Sequence, residues 1–434
     1  MATDLGGLQP TRVEHLDAAY WDVEALDREQ RRQFEVCHGC RLCYNLCPAF
    51  PQLFTYIDDE VDGETERLTH AQMRHVDDLC YECKLCFIIC PYTPPHEFAV
   101  DIPRLVLRAK AVNTRQTEPG IGSRLLSNPD LLGRLGCATA PLANAANESP
   151  LARQLMQRTL GIDPRAKLPR FAGQTFASWW AHRTPPATKG TNGKVAFFYS
   201  CLVNYYQPQV GVAAVKTLER SGVEVICPPQ NCCAMPALDE GRLDFALGHM
   251  ERNAARLAAA VREGYEVVVP EPTCGMMLRK EYADYLHSED ARLVAEHTFD
   301  LAEYLIRLNR EGKLNKDFAY APGKIAYHMP CHLKYQAIGR RSVDLLKLIP
   351  GAEVQLVDRG CSGHDGTWAM KTDYHALSLK VGAKLFQGIR DAGANVVATD
   401  CSLAALQIEE GTGEPVVHPI EIVWAAYADT EEPT

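Results

Sequence analysis

Two strings near the N-terminus limit what this chain can be more than anything else in it. CHGCRLCYNLCP supplies Cys37, Cys40, Cys43 and Cys47, then Pro48. CYECKLCFIICP supplies Cys80, Cys83, Cys86 and Cys90, then Pro91. Both read C-x2-C-x2-C-x3-C-P. Structural zinc uses paired C-x2-C elements, but it does not call for a third and fourth cysteine at this spacing, twice, each followed by proline. A disulfide framework belongs to secreted chains, and nothing here reads as secreted.

The run is that of a bacterial two-cluster ferredoxin. Three cysteines two residues apart wrap a tight loop around one face of a cubane. The fourth sits too far along and serves the other cluster. The expected ligand sets are therefore Cys37, Cys40, Cys43 and Cys90 for one 4Fe–4S cluster, and Cys80, Cys83, Cys86 and Cys47 for the second.

Composition narrows the partners. The 434 residues allow two to four domains with substantial cores, and a net charge of −10 disfavours nucleic acid and an anionic membrane as primary partners. No run of eighteen apolar residues occurs, so no spanning helix is expected. The first residues, MATDLGGLQPTRVEHLD, lack the basic and apolar regions of a signal peptide. Seventeen cysteines then point to a reducing compartment and metal ligation. The expected location is cytoplasmic, peripheral at the inner face of the membrane.

Residues 12 to 36, with Val13, Leu16, Ala19, Val23, Leu26 and Phe34 spaced along them, predict a helix leading into the first string. The acidic run 58–66 is a solvated face or a dock for a basic partner. DIPRLVLRAKAV (101–112) predicts a helix with proline near its start. Residues 121–137 and 151–160 read as helices among prolines and offer an amphipathic surface. TPPATKGTNGK (184–194) reads as a linker. Cys137, alone here, fits a buried thiol.

From residue 193 the pattern alternates strand and helix, and repeats itself. GKVAFFYSC (193–201) matches GKIAYHMPC (323–331). VEVICPP (223–229) matches AEVQLVD (352–358), and YEVVVPEPTC (265–274) matches ANVVATDC (394–401). Cys201 to Cys232 spans 31 positions and Cys331 to Cys361 spans 30; Cys233 to Cys274 spans 41 and Cys361 to Cys401 spans 40. The C-terminal half is thus two copies of one α/β unit with a parallel sheet. Their cysteines fall at the carboxyl ends of strands, where open α/β sheets place ligands. The expected organisation is α+β overall: an α-helical two-cluster ferredoxin-like domain (residues 1–112), a helical and linker region (113–192), and two cysteine-rich α/β domains with parallel sheets (193–318 and 319–434).

In the first copy Cys201, Cys232, Cys233 and Cys274 converge, enough for a cubane or a zinc. A strand-end cysteine, a cysteine pair and a later cysteine, given twice behind a two-cluster module, resemble the layout of heterodisulfide reductase-type cysteine-rich proteins. The strings CCAMPALDEG, HMPCHLKYQAIG, GCSGHDGTWAMK and TDCSLAALQIEEGTG are most similar to the iron–sulfur subunits of anaerobic glycerol-3-phosphate dehydrogenases and of glycolate and lactate oxidation systems. The departures bear on chemistry. Ala234 stands where the family's pair is followed by glycine, and the last motif shrinks to Cys274-Gly-Met-Met277, so the first copy lacks one ligand. The second copy keeps only Cys331, Cys361 and Cys401. His328, His332 and His364 cluster where cysteines were lost, and His332 and His364 are the better candidates to complete a cluster or a zinc site. Cys227 is a spare ligand or a core thiol. Arg359 and Asp365 flank the same loop, placed to tune or gate it.

The resemblance implies an oxidoreductase subunit. Electrons would pass from a flavoprotein dehydrogenase partner through two 4Fe–4S clusters to the cysteine-rich domains, with a further cluster or metal in one or both, and on to an acceptor such as quinone at a membrane surface. The absence of a nucleotide fingerprint or flavin motif agrees with this. The alternatives are a thiol–disulfide reductase working at the first copy and structural zinc in the C-terminal half.

Overall fold

A computed structural model describes residues 14–187 and 190–427. Arg12 and Val13, where the first predicted helix was to begin, lie outside the described residues, as do Thr188 and Lys189 of the predicted linker. The chain forms two compact units. One comprises the residues through Gly120 together with Ala237–Leu243; the other comprises Ile121–Pro236 and the residues from Asp244 onward.

The first unit is helical. Asp22 caps the helix Val23–Cys40 by accepting from the Ala25 amide at 2.6 Å, and Leu26, Phe34 and Val36 form its buried side. The helix continues through Cys37 and Cys40, so these two cysteines belong to its last turn. It stops at Arg41, whose φ of 53° is left-handed. Thr69 and Gln72 form a capping box at His70–Leu79. The helix Ile102–Gln116 starts at the Asp101 cap with Pro103 in its first turn and runs four residues beyond the predicted end. Of the acidic run, Asp58 is engaged by Arg41 and His38 at the end of the first long helix. The returning segment is anchored here too: Lys110 Nζ bonds the Cys80 carbonyl at 3.1 Å and Asp239 at 2.6 Å.

The second unit carries the duplication. Strands β1 (Gly193–Phe197), β2 (Val223–Ile226), β3 (Glu266–Val269) and β4 (Thr298–Asp300) form one sheet. Strands β5 (Lys324–His328), β6 (Glu353–Leu356), β7 (Val396–Thr399) and β8 (Val416–Val417) form the other. Their orders are β2-β1-β3-β4 and β6-β5-β7-β8, with every pairing parallel. The fold is thus the expected α+β one. Each copy has gained a short fourth strand that sequence periodicity did not indicate.

In both sheets the chain steps outward once and then returns across its first strand, so the order switches between β1 and β3 and between β5 and β7. Cys201 follows β1 and Cys274 follows β3. Cys331 follows β5 and Cys401 follows β7. One continuous core joins the copies: Val195, Phe197 and Val268 pack in the same cluster as Ile325, Tyr327 and Ala398. Burying this many Val, Ile and Leu side chains, at about 1.5–3 kcal/mol each, holds the copies as one body. Among the described residues no helix is long and apolar enough to cross a membrane.

Candidate metal centres

In the helical unit the eight ferredoxin-type cysteines fall into two groups. The Cys37 thiol is pushed well up by burial, then by Cys43, Cys90 and Cys40 around it. Cys43 is raised to about 12 by burial and then by Cys90, Cys47 and Cys40. Burial also raises Cys86, and so do Cys83, Cys80, Cys47 and Cys43 around it. Cys47, Cys80, Cys83 and Cys86 share one enclosed hollow walled by Phe34, Phe50, Leu53 and Val106. The chain bends sharply at this hollow. Glu82 (φ 55°) and Lys84 (φ 59°) are left-handed without being glycine, and both are buried. Crowded thiols in a dry hollow hold their protons unless a metal replaces them. The donor set therefore fits an iron–sulfur cluster.

In the first α/β copy Cys201, Cys232, Cys233 and Cys274 are all buried and form a run of hydrogen-bonded thiols in that order. The Cys233 hydrogen bond lowers Cys274, but burial and the neighbouring cysteines leave it raised to about 12. Three residues that sequence patterns did not single out hold the cysteine pair. Asp130 accepts from the Cys232 amide at 2.8 Å. Asn253, fully buried, accepts from the Asn231 amide and donates to the carbonyls of Asn231 and Cys232. The Tyr282 hydroxyl donates to the Cys233 carbonyl at 3.2 Å. Ala234 has a φ of 80°, a conformation that glycine adopts without cost. Cys227 packs against the core, and the Cys137 thiol faces the Tyr205 carbonyl at 3.3 Å.

A cavity of about 340 Å³ opens on this site. Its wall holds Cys201, Cys232, Cys233 and Cys274, joined by Glu271, Thr273 and Asp365. The remainder is chiefly apolar, with Leu126, Leu135, Phe171 and Met370 among its residues. Glu271 is buried and lies between the copies, accepting from the Ser402 hydroxyl beside Cys401. Burial raises its carboxyl to about 7 against the pull of the Ser402 hydrogen bonds.

The second copy disperses its candidates. Cys331, His332 and Asp365 come together, with their donor atoms all within 4.8 Å of one another. Cys361 accepts from the Gly363 amide at 3.3 Å. Cys401 is raised by burial and by Glu271. Neither belongs to that triad. His364 is held down to about 4 by burial, with Glu410 and His375 as its charged neighbours. His328 is lowered to about 3 by burial and faces Lys334 and Asp358. Of the three histidines, the structure places His332 with the strand-end cysteine.

Comparison with known proteins agrees with this architecture. The "Citrate utilization protein B Fer4-like domain" family matches residues 30–117, and the "Cysteine-rich domain" family matches residues 195–279 and again 325–409. One subunit of the anaerobic glycerol-3-phosphate dehydrogenase of Escherichia coli (strain K12) is 33% identical over 401 residues, covering 91% of this chain and 99% of that protein. One subunit of the fumarate reductase (CoM/CoB) of Methanothermobacter marburgensis is 30% identical over 247 residues, 54% of this chain and 47% of that one. Lactate utilization protein A of Geobacillus thermodenitrificans is 31% identical over 188 residues, 41% of this chain and 75% of that one. The chain therefore belongs to the cysteine-rich-domain family of iron–sulfur, electron-transferring oxidoreductase subunits that includes this subunit of anaerobic glycerol-3-phosphate dehydrogenase.

Proposed function

We propose that this chain receives electrons from a flavoprotein dehydrogenase partner and delivers them to a lipophilic acceptor of the quinone class at a membrane surface. Cys37, Cys40, Cys43 and Cys90 would hold one 4Fe–4S cluster, and Cys80, Cys83, Cys86 and Cys47 the other. Cys201, Cys232, Cys233 and Cys274 would hold a further iron–sulfur centre. Such clusters, when bound, supply one-electron carriers. The dehydrogenase partner is inferred from the Escherichia coli relative, which is named as one subunit of a dehydrogenase.

One observation carries the choice of acceptor: a largely apolar cavity with four thiols in its wall. Apolar walls with a few polar groups suit a flat hydrophobic ligand. Quinone reduction also consumes protons, and Glu271 in the same wall is poised near neutrality to hold one at its carboxyl. The helical segment beside the cavity leaves Ile121, Leu131, Leu135, Leu142, Leu151 and Leu155 exposed. Arg124, Arg134 and Arg158, exposed in this segment, would favour an anionic lipid surface despite the chain's net charge of −10.

The test is anaerobic purification of the native complex, followed by reoxidation of the reduced protein with a short-chain quinone. The reading expects a flavoprotein to copurify and the quinone to reoxidise the complex. Ala146→Trp, which fills the cavity, should slow that step with iron content unchanged. Reoxidation by a disulfide in place of the quinone, lost in Cys233→Ala, would establish the thiol–disulfide reductase reading instead.

A further inference from the structure

We propose that the second α/β copy binds a single divalent zinc ion through Cys331, His332 and Asp365, and no iron–sulfur cluster. The inference concerns this copy's own residues and stands apart from the choice of electron acceptor. Cys331 and His332 begin the short helix after β5, and Asp365 sits in the loop after β6. The three side chains thus reach one point from two strand ends. His332 and Asp365 are 2% and 8% exposed, so water does little to solvate these two donors, and Cys331 beside them is half-buried.

Spacing separates a lone ion from a cluster. Donors about 2.0–2.3 Å from a tetrahedral zinc stand about 3.3–3.6 Å from each other. His332 Nε2 lies 3.4 Å from Asp365 Oδ2, and Cys331 Sγ is within 4.8 Å of both ligand atoms. A cubane has a body of its own, and its thiolates stand farther apart. The mixed sulfur, nitrogen and oxygen donors also suit zinc better than an iron–sulfur cluster, whose ligands are chiefly thiolates.

The surroundings orient the imidazole. His332 Nδ1 lies 2.8 Å from the Thr273 hydroxyl. With its Nδ1–H donated to that oxygen, the neutral ring offers Nε2 to the ion, the usual arrangement around a ligating histidine. Binding would displace the Cys331 thiol proton to solvent and leave a thiolate, a carboxylate and a neutral imidazole on the metal. Three protein donors leave a fourth position, and Asp365 and Thr273 both line the cavity. That position would be taken by water or by a donor atom of whatever enters the cavity.

The experiment is zinc and iron analysis of the full chain, purified without oxygen and dialysed against metal-free buffer. About one zinc per chain is expected in addition to iron. Asp365→Asn and His332→Gln should lose the zinc and keep the iron, which also shows that they fold. His364→Gln should keep both. Cobalt(II) in place of zinc should give a thiolate charge-transfer band that Cys331→Ser removes. A wild-type chain that takes up no zinc would overturn the proposal and leave His332 and Asp365 as an ordinary ion pair. Loss of iron instead of zinc in Cys331→Ser would overturn it in favour of a cluster, and retention of zinc by Asp365→Asn would remove the carboxylate from the site.

Discussion

The two α/β copies share strand order, parallel pairing and the placement of cysteines after the first and third strands, yet they hold their cysteine loops in opposite ways. In the first copy side chains carry the loop: Asn253, Tyr282 and Asp130 bond the backbone of residues 231–233. In the second copy backbone packs on backbone. Gly363, at φ 84°, lies so close to the helix His375–Ala392 that a Cβ would sit 2.2 Å from the Ser378 carbonyl oxygen, and a Cβ at Gly382 would sit 2.4 Å from the Ser362 carbonyl. The first loop presents two adjacent thiols toward a cavity. The second presents one cysteine and swings Asp365 toward His332. A duplicated fold fixes where the candidate ligands sit; the support of each loop decides which side chains those are.

That contrast can be broken from either side. The largest effect is expected from Asn253→Ala, which strands an amide and two carbonyls in a dry site. It should cost about 3 kcal/mol or more, read as a lower urea midpoint of the anaerobic chain, and should lower the iron content of the first copy. Gly363→Ala meets both left-handed strain and a carbonyl oxygen, for a cost of about 2–3 kcal/mol by the same assay.

Next comes acidification. His328 is buried and lowered to about 3, so the unfolded chain takes up a proton below about pH 6.5 that the folded chain refuses. Its contribution is complete above that pH and falls as pH drops toward 3. At pH 5 the loss is about 2 kcal/mol. His328→Gln should flatten that part of the stability profile, and an unchanged slope would count against the buried neutral ring. The smallest effect has the opposite sign. Ala234 occupies a φ of 80°, and Ala234→Gly should stabilise the chain by about 1 kcal/mol.

Much of this was legible in the amino-acid sequence because it is written in spacing. The double C-x2-C-x2-C-x3-C-P run, the matched intervals between Cys201, Cys232 and Cys274 and their counterparts, and the strand-end location of each cysteine need no tertiary information. What escaped depends on partners far away in the chain. Asp130 reaches Cys232 across 102 positions, and Glu271 reaches Ser402 across 131. No local pattern marks either. Strands β4 and β8, three and two residues long, are too short to show a period of their own. Among His328, His332 and His364, all beside lost cysteines, the backbone path decides. The turn at Gly363 carries His364 toward Glu410 and leaves Asp365 to face His332.

The central claim is that the first copy, beyond the eight ferredoxin-type cysteines, holds an iron–sulfur centre at the cavity. Iron analysis of the anaerobically purified chain, compared with the Cys232→Ser, Cys233→Ser double variant, tests it most directly. The account predicts more than about eight irons per chain, falling to about eight in the variant as two cubanes remain. About eight irons in both proteins would contradict it and leave the first copy without a redox centre.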